Sequence, residues 1–427
     1  MRYWIETLGC AKNHVDSDKL SGWLAARGYS PAASPEAAEL VVANTCAFIE
    51  AAREESVAAV LDLAERRAPG ARLVVTGCMA ERYGDELARA LPEVDLVAGF
   101  GASLEATPVS LRPVPSFDLL NLPRPAPTRP WAYVKVAEGC DRRCGFCAIP
   151  SFRGDQESRS PDAVLAEVAG LVAGGVREVV LIAQDLASWG RDRRRGGAAP
   201  AEALDDGAAQ PLVGLVSKVA AEVDRVRLLY LYPSGLTPAL IDAVLATGVP
   251  YFDLSLQHAS RPLLRAMRRW GDADRFLERI AAIRAAEPRA TFRSSFILGY
   301  PGETEDDLVR LLEFLDAAQL DWAGFFPFSP EVGTPAASAP DPVDPSLALE
   351  RLREASELQD AITARRRDRL VGARETVLVD EPGVGRTVHE CPEIDGVVHL
   401  DASLLVGSLV ECEIVASGGT DLEAVPV

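Results

Sequence analysis

The sequence has no run approaching the ~20 consecutive apolar residues that a membrane-spanning helix needs, although 48% of its residues are apolar. Its first eight residues, Met1 to Leu8, lack both a charged leader and a long apolar stretch. They read as a first strand rather than a secretion signal, and a cytoplasmic protein is expected. Basic residues are scarce: 44 Lys and Arg stand against 63 Asp and Glu, for a formal charge of −19. Such a surface repels phosphate backbones, so nucleic acid is not expected as the primary partner, and a basic protein fits better. Disulfides are not expected among the eight cysteines, because the cytoplasm keeps thiols reduced. Metal binding or catalysis is the better use for them.

A chain of 427 residues exceeds one ordinary core, so two or three domains are expected. Strand-like runs at 2–8, 40–44, 73–77 and 94–97 alternate with helical patterns at 15–27, 50–66 and 85–91. That alternation predicts a parallel sheet with helices packed on it, over 1–104. Seven prolines fall within 105–130, which resists helix and central strand alike and predicts an extended linker. The alternation then restarts. Strands are expected at 132–137, 179–183, 227–231, 252–256, 292–298 and 323–328, with helical segments filling the gaps. Six β/α units over 131–345 predict a partial or complete (β/α) barrel, with its chemistry at the C-terminal ends of the strands. Gly190–Gln210 is low in complexity and reads as a mobile, solvated insert. A charged connecting helix is expected over 346–372. Short β-rich runs over 373–427 then predict a small β-barrel. The fold class is therefore α/β, with a small all-β domain at its end.

The strongest chemical signal is Cys140-Asp141-Arg142-Arg143-Cys144-Gly145-Phe146-Cys147, with the spacing C-x₃-C-x₂-C directly after the first barrel strand. Three thiolates can hold three irons of a 4Fe–4S cube and leave the fourth iron open to a small ligand. A structural zinc site needs four protein ligands, and no fourth Cys or His lies nearby. Cys10, Cys46 and Cys78 each follow a predicted parallel strand. Parallel strands bring their C-terminal ends to one edge of a sheet, so these thiols should converge as a second three-thiolate site. The plainer alternative is three small buried residues at strand ends.

The triplet spacing together with the barrel pattern resembles the radical S-adenosylmethionine (SAM) superfamily. Within it, Leu8-Gly9-Cys10-Ala11-Lys12-Asn13, Asn44-Thr45-Cys46 and Thr76-Gly77-Cys78 resemble the N-terminal domain of the methylthiotransferases. Residues 373–427 resemble their TRAM domain. The resemblance covers nearly the whole chain. It implies a sulfur-transferring enzyme with SAM and two 4Fe–4S clusters. Cys140, Cys144 and Cys147 would hold the SAM-cleaving cluster, and Cys10, Cys46 and Cys78 an auxiliary one. It also implies a reductant such as flavodoxin or ferredoxin.

Two branches of the family are candidates, one acting on adenosine in tRNA and one on the β-carbon of an aspartate in ribosomal protein S-twelve. The second is favoured by Leu8 to Asn13, by Cys147-Ala148-Ile149-Pro150-Ser151-Phe152-Arg153-Gly154, and by Gln257-His258-Ala259-Ser260. Ser329-Pro330-Glu331-Val332-Gly333-Thr334 agrees, with Phe328 where that branch usually has Tyr. Charge discriminates independently: residues 373–427 hold Arg374 and Arg386 against eleven acids, a net of −9. An RNA-gripping barrel needs cationic surface, whereas this one should attract a basic ribosomal protein, either free or in the small subunit. Gln184, Asp185, Gly299 and Glu303 end two barrel strands where SAM would lie, although glycines there also serve as plain turns. His258 reads equally as a substrate contact or a satisfied strand-end histidine. Cys391 and Cys412 read as free thiols. A non-catalytic carrier of two clusters is the rival from another class, and it would need four thiolates per cluster.

Overall fold

The computed structural model describes residues 1–99, 119–195 and 210–427. The N-terminal unit is a five-stranded parallel sheet in the order Ser30–Pro31, Arg2–Thr7, Leu40–Thr45, Arg72–Gly77, Leu96–Val97. Its central strands read as unbroken apolar runs because helices cover both faces. Val41, Val42, Val74 and Val75 are all fully buried. Helices Ala11–Ala25, Glu50–Arg66 and Cys78–Ala90 follow three of the strands. The third was expected only from Asp85 onward. It begins seven residues earlier, and Gly84, with φ 36° and ψ −111°, breaks its helical geometry where the sequence pattern stops.

The middle unit holds six strands: Trp131–Lys135, Glu178–Ile182, Arg225–Leu228, Tyr251–Gln257, Thr291–Leu298 and Trp322–Pro327. They pair in parallel as two three-stranded sheets in chain order. A parallel bridge between Leu231 and Leu254 joins the two sheets. Among the described residues the first and last strands do not pair, so the barrel is partial. The outer helices start at side-chain caps. Ser160, Thr237, Asp272 and Thr304 each accept an N–H from the residue three positions on, satisfying donors that the helix leaves free.

The insert after Gly190 differs in part from expectation. Arg191–Arg195 is a short helix, and the Asp192 carboxylate accepts from the backbone N–H and hydroxyl of Ser158 at 2.8 and 2.6 Å. Arg193 also donates to the Ser158 carbonyl at 3.3 Å, so the start of the insert fastens the strand Glu157–Ser158 while Arg191 and Arg193 stay exposed. The remainder, 196–209, lies outside the described residues, as does the linker segment 100–118.

Helix Pro345–Asp368 leads into a closed five-stranded barrel made of Arg374–Glu381, Val384–Arg386, Val398–His399, Asp421–Pro426 and Leu409–Gly418. This barrel docks on the N-terminal ends of the central strands, opposite the expected site. There Glu178 bonds Arg227 at 2.8 Å and Arg386 at 2.9 Å, all three buried. Arg225 donates to the carbonyls of Arg386 and Thr376, and Cys391 packs with Trp131, Tyr133 and Tyr251 in one apolar cluster. Four of the eleven acids of this barrel point inward, with Glu375 on Arg289, Asp380 on Arg386, Glu390 on Arg367 and Asp395 on Arg293. The exposed face therefore carries less negative charge than −9. Among the described residues no helix is long and apolar enough to cross a membrane.

Candidate active site

The C-x₃-C-x₂-C loop leaves the first barrel strand through a short hairpin, Ala137–Glu138 paired with Glu157–Ser158. It is tied down along its length: Cys140 N–H donates to the Gly154 carbonyl, Gly145 N–H to the Met267 carbonyl, and Ala336 N–H to the Gly145 carbonyl. Cys140 and Cys144 are buried and Cys147 is half-buried. Burial pushes the Cys140 thiol up to about 11 and the Cys147 thiol to about 12, and in each case the neighbouring thiols add to the rise. Such thiols stay protonated near neutrality unless a metal ion takes the proton's place.

The second triad forms as the parallel sheet requires. Two glycines permit it. Gly9 has φ +94°, and a Cβ there would lie 2.7 Å from Cys46 Cβ. Gly77 has φ +92°, and a Cβ there would overlap the Asn44 side chain and Thr45 backbone. Only glycine tolerates that conformation and that proximity together. Asn13 holds the loops in register: its amide donates to the Leu8 carbonyl at 2.7 Å and the Thr45 carbonyl at 3.1 Å. Asn44 donates back to the Asn13 carbonyl. Burial pushes the Cys46 thiol up to about 12 and raises Cys78 as well. Cys10 is exposed at the loop surface; the protein around it acts upward on its thiol, but the Lys12 ammonium, the Arg153 guanidinium and the N–H groups of Lys12 and Asn13 outweigh that, and the thiol is lowered.

Arg153 joins the two halves. It ends the five-residue helix Ile149–Arg153 that follows Cys147. Its guanidinium lies 3.0 Å from Cys78 Sγ, 3.0 Å from Asn13 Oδ1 and 2.9 Å from Glu138 Oε1. Glu138 also pairs with Lys135, and Lys135 with Asp16 at 2.7 Å. All of these side chains are buried. Opposed charges held this way keep each other ionised despite the loss of solvent; Glu138 sits at about 2, since Arg153 and Lys135 overcome the upward push of burial. Farther out, Glu331 takes Arg53 and Arg82, each at 2.6 Å. The loop after the last barrel strand is thereby bound to the N-terminal sheet unit. The motifs Ser151 to Gly154 and Ser329 to Thr334 mark these contacts, yet nothing local in them shows what they touch.

Gln184 donates from Nε2 to Glu138 at 2.5 Å, and Asp185 accepts from Arg142 at 2.7 Å. One buried oxygen on each, Gln184 Oε1 and Asp185 Oδ1, has no partner. Glu303 is differently placed. Its carboxylate accepts from the N–H groups of Gly299 and Tyr300 and pairs with Arg351, so it closes its own turn. His258 is fully buried. Its Nδ1 accepts from Ser260 N–H, and burial lowers its pKa to about 4. Its Nε2 has no hydrogen-bond partner and lies 3.9 Å from Glu303 Oε2.

Among the described residues no three His, Cys, Asp or Glu side chains are close enough to hold a single metal ion. One zinc ion draws its sulfurs to roughly 3.8 Å of each other. Thiolates that each bind a different iron of a cube stand farther apart. All-sulfur triads with nearby cations fit a cluster better than an ion, with Cys140, Cys147, Cys46 and Cys78 raised and Cys10 lowered.

Comparison with known proteins agrees along the whole chain. Residues 2–99 match the family described as uncharacterized protein family UPF0004, 134–315 the radical SAM superfamily, and 371–427 the TRAM domain. The ribosomal protein uS12 methylthiotransferase RimO of Streptomyces coelicolor is 41% identical, covering 99% of this chain and 96% of the relative. The RimO of Chloroflexus aurantiacus is 39% identical, covering 99% of each. Among solved structures, the radical SAM methyltransferase TsrM from Kitasatospora setae aligns with a TM-score of 0.50 at 13% identity. It covers 84% of this chain and 89% of its own, a likeness of fold alone. Given relatives near 40% identical from end to end, and the radical SAM match spanning the C-x₃-C-x₂-C loop, the chain belongs to the RimO family of radical SAM methylthiotransferases.

Proposed function

We propose that this enzyme adds a methylthio group to the β-carbon of an aspartate in ribosomal protein uS12. The reading rests chiefly on relatives near 40% identical from end to end that are named ribosomal protein uS12 methylthiotransferase, and it is supported by Arg153, which follows the Cys140–Cys147 loop and lies 3.0 Å from Cys78. Cys140, Cys144 and Cys147 would hold the SAM-cleaving 4Fe–4S cluster, and Cys10, Cys46 and Cys78 a second one. Together with SAM they supply the one-electron chemistry that a bare C–H bond, lacking any acid–base handle, requires. The chain's own residues position and shield. The Arg153–Glu138–Lys135–Asp16 network fixes the spacing of the two loops and excludes water between them. The unpartnered oxygens of Gln184 and Asp185 are suited to the SAM amino group, whereas the Gly299 turn, φ +76°, packs its bare Cα against Ala348. Glu303 holds that turn.

The functional units on this reading are 1–104 for the auxiliary site, 105–130 as linker, 131–345 for SAM chemistry, 346–372 as connecting helix and 373–427 for docking. Glu411 and Glu423 on the last barrel are exposed and Glu413 half-exposed, which suits a basic ribosomal protein better than tRNA. A small electron-carrying protein such as flavodoxin or ferredoxin would supply electrons.

The test is made in cells. Deleting the gene should leave uS12 lighter by one methylthio group, and restoring this chain should return it, with tRNA unchanged in both. A uS12 mass indifferent to the gene overturns the reading.

A further inference from the structure

The cations at the barrel mouth are mostly committed to carboxylates. Lys135 pairs with Asp16 and Glu138, Arg153 with Glu138 and Asp16, and Arg142 with Asp185. Arg269 donates to the Ser255 carbonyl and lies 3.5 Å from Cys144 Sγ. Lys12 shares with Arg269, which lies over the Tyr232 ring at 4.1 Å, the lack of a carboxylate partner among the described residues. Its Nζ lies 3.0 Å from the centroid of the Tyr230 ring, and among the described residues no carboxylate forms an ion pair with it. It stands in the first turn of helix Ala11–Ala25, two residues after Cys10, and is half-exposed to the mouth.

The ring beneath Lys12 is held in place at a cost. Tyr230 has φ +64°, a left-handed backbone that disfavours a side chain by roughly 1–2 kcal/mol. Its N–H is pinned by the Asp253 carboxylate at 2.8 Å. The aromatic face attracts the ammonium without neutralising it; burial lowers the Lys12 pKa, and the neighbouring Cys10 thiolate and Asp253 carboxylate oppose that.

We propose that Lys12 is the specificity residue for the substrate, and that its ammonium binds the side-chain carboxylate of the target aspartate. The inference rests on the aspartate reading above. Its chemistry is economical: the β-carbon is bonded directly to the carboxylate carbon, so gripping the carboxylate beside Cys10 fixes the carbon to be modified. Asparagine or a neutral side chain would leave the ammonium without its partner, and discrimination follows from that loss.

The experiment measures binding of purified uS12, with the target aspartate intact or replaced by Asn, to wild-type enzyme and to Lys12→Met and Lys12→Arg. The target is first located by mass spectrometry with wild-type enzyme; absence of any modified aspartate refutes the proposed function rather than this inference. Wild type should bind the Asn form about 10- to 100-fold more weakly, the range of a charge-assisted contact. Lys12→Met should bind both forms alike, near the weaker value, and Lys12→Arg should recover part of the discrimination. Iron content and melting midpoint report whether each variant is intact, and if Lys12→Met is not, the wild-type comparison decides alone. Equal binding of both forms by wild type, or full discrimination by an intact Lys12→Met, overturns the proposal and leaves Lys12 as counter-charge to the Cys10 thiolate.

Discussion

Replacing Cys140, Cys144 and Cys147 together by alanine is expected to halve the iron of anaerobically reconstituted protein and abolish SAM cleavage. Wild type should bind about eight irons per chain and the variant about four. Replacing Cys10, Cys46 and Cys78 should also halve the iron but leave SAM cleavage measurable. The two sites are separable because each is built on its own elements. The first lies on a loop anchored by Gly154, Met267 and Ala336, and the second lies on three strand ends locked by Asn13 and Asn44. Losing Cys78 does not strand Arg153, which keeps Glu138 and Asp16. Iron and sulfide analysis with a SAM-cleavage assay reads both effects. Wild type saturating at about four irons would contradict the two-cluster account.

The largest effect on stability is expected at the far end of the barrel. Arg386→Ala leaves the largely buried Asp380 without its cation, and Glu178 beside Arg227 alone. Removing one partner of a buried pair costs about 3–5 kcal/mol, since the remaining charge is uncompensated. Glu178 lies at about 2 because Arg386 and Arg227 outweigh burial. A carboxyl depressed in the folded state contributes stability that is present above its ordinary value of 4.5 and lost as pH falls toward about 2. Denaturant melts from pH 7 to pH 3 should show wild type losing stability below pH 4.5. Arg386→Ala should begin lower and lose less, because its Glu178 is less depressed. An Arg386→Ala melt matching wild type at pH 7 would show that the small barrel docks without this pair.

Much of this architecture is legible in the sequence, since periodicity reports burial and burial is what the sheets impose. Helix Glu50–Arg66 and the strand ends preceding all six cluster-spaced cysteines follow from pattern alone. What does not follow is anything set by distant pairing. Arg153 meets Asn13 across 140 positions, and no window containing one contains the other. Glu331 reads as part of a motif, but its partners Arg53 and Arg82 lie in another unit. Glu303 ends a strand where a ligand is expected, yet its carboxylate closes the turn that carries it. Counting charge over 373–427 treats every acid as surface, while Glu375, Asp380, Glu390 and Asp395 face arginines in the interior or at the interface. Composition fixes how many charges a domain has but not which way they face.

The most direct measurement is of the product. The enzyme is incubated anaerobically with SAM, a reductant, a sulfide source and uS12 carrying deuterium at its aspartate β-carbons. Tandem mass spectrometry should place one methylthio group on a single aspartate, with deuterium recovered in 5′-deoxyadenosine. A methylthio group on an adenosine of added tRNA, with uS12 unmodified, would contradict the account.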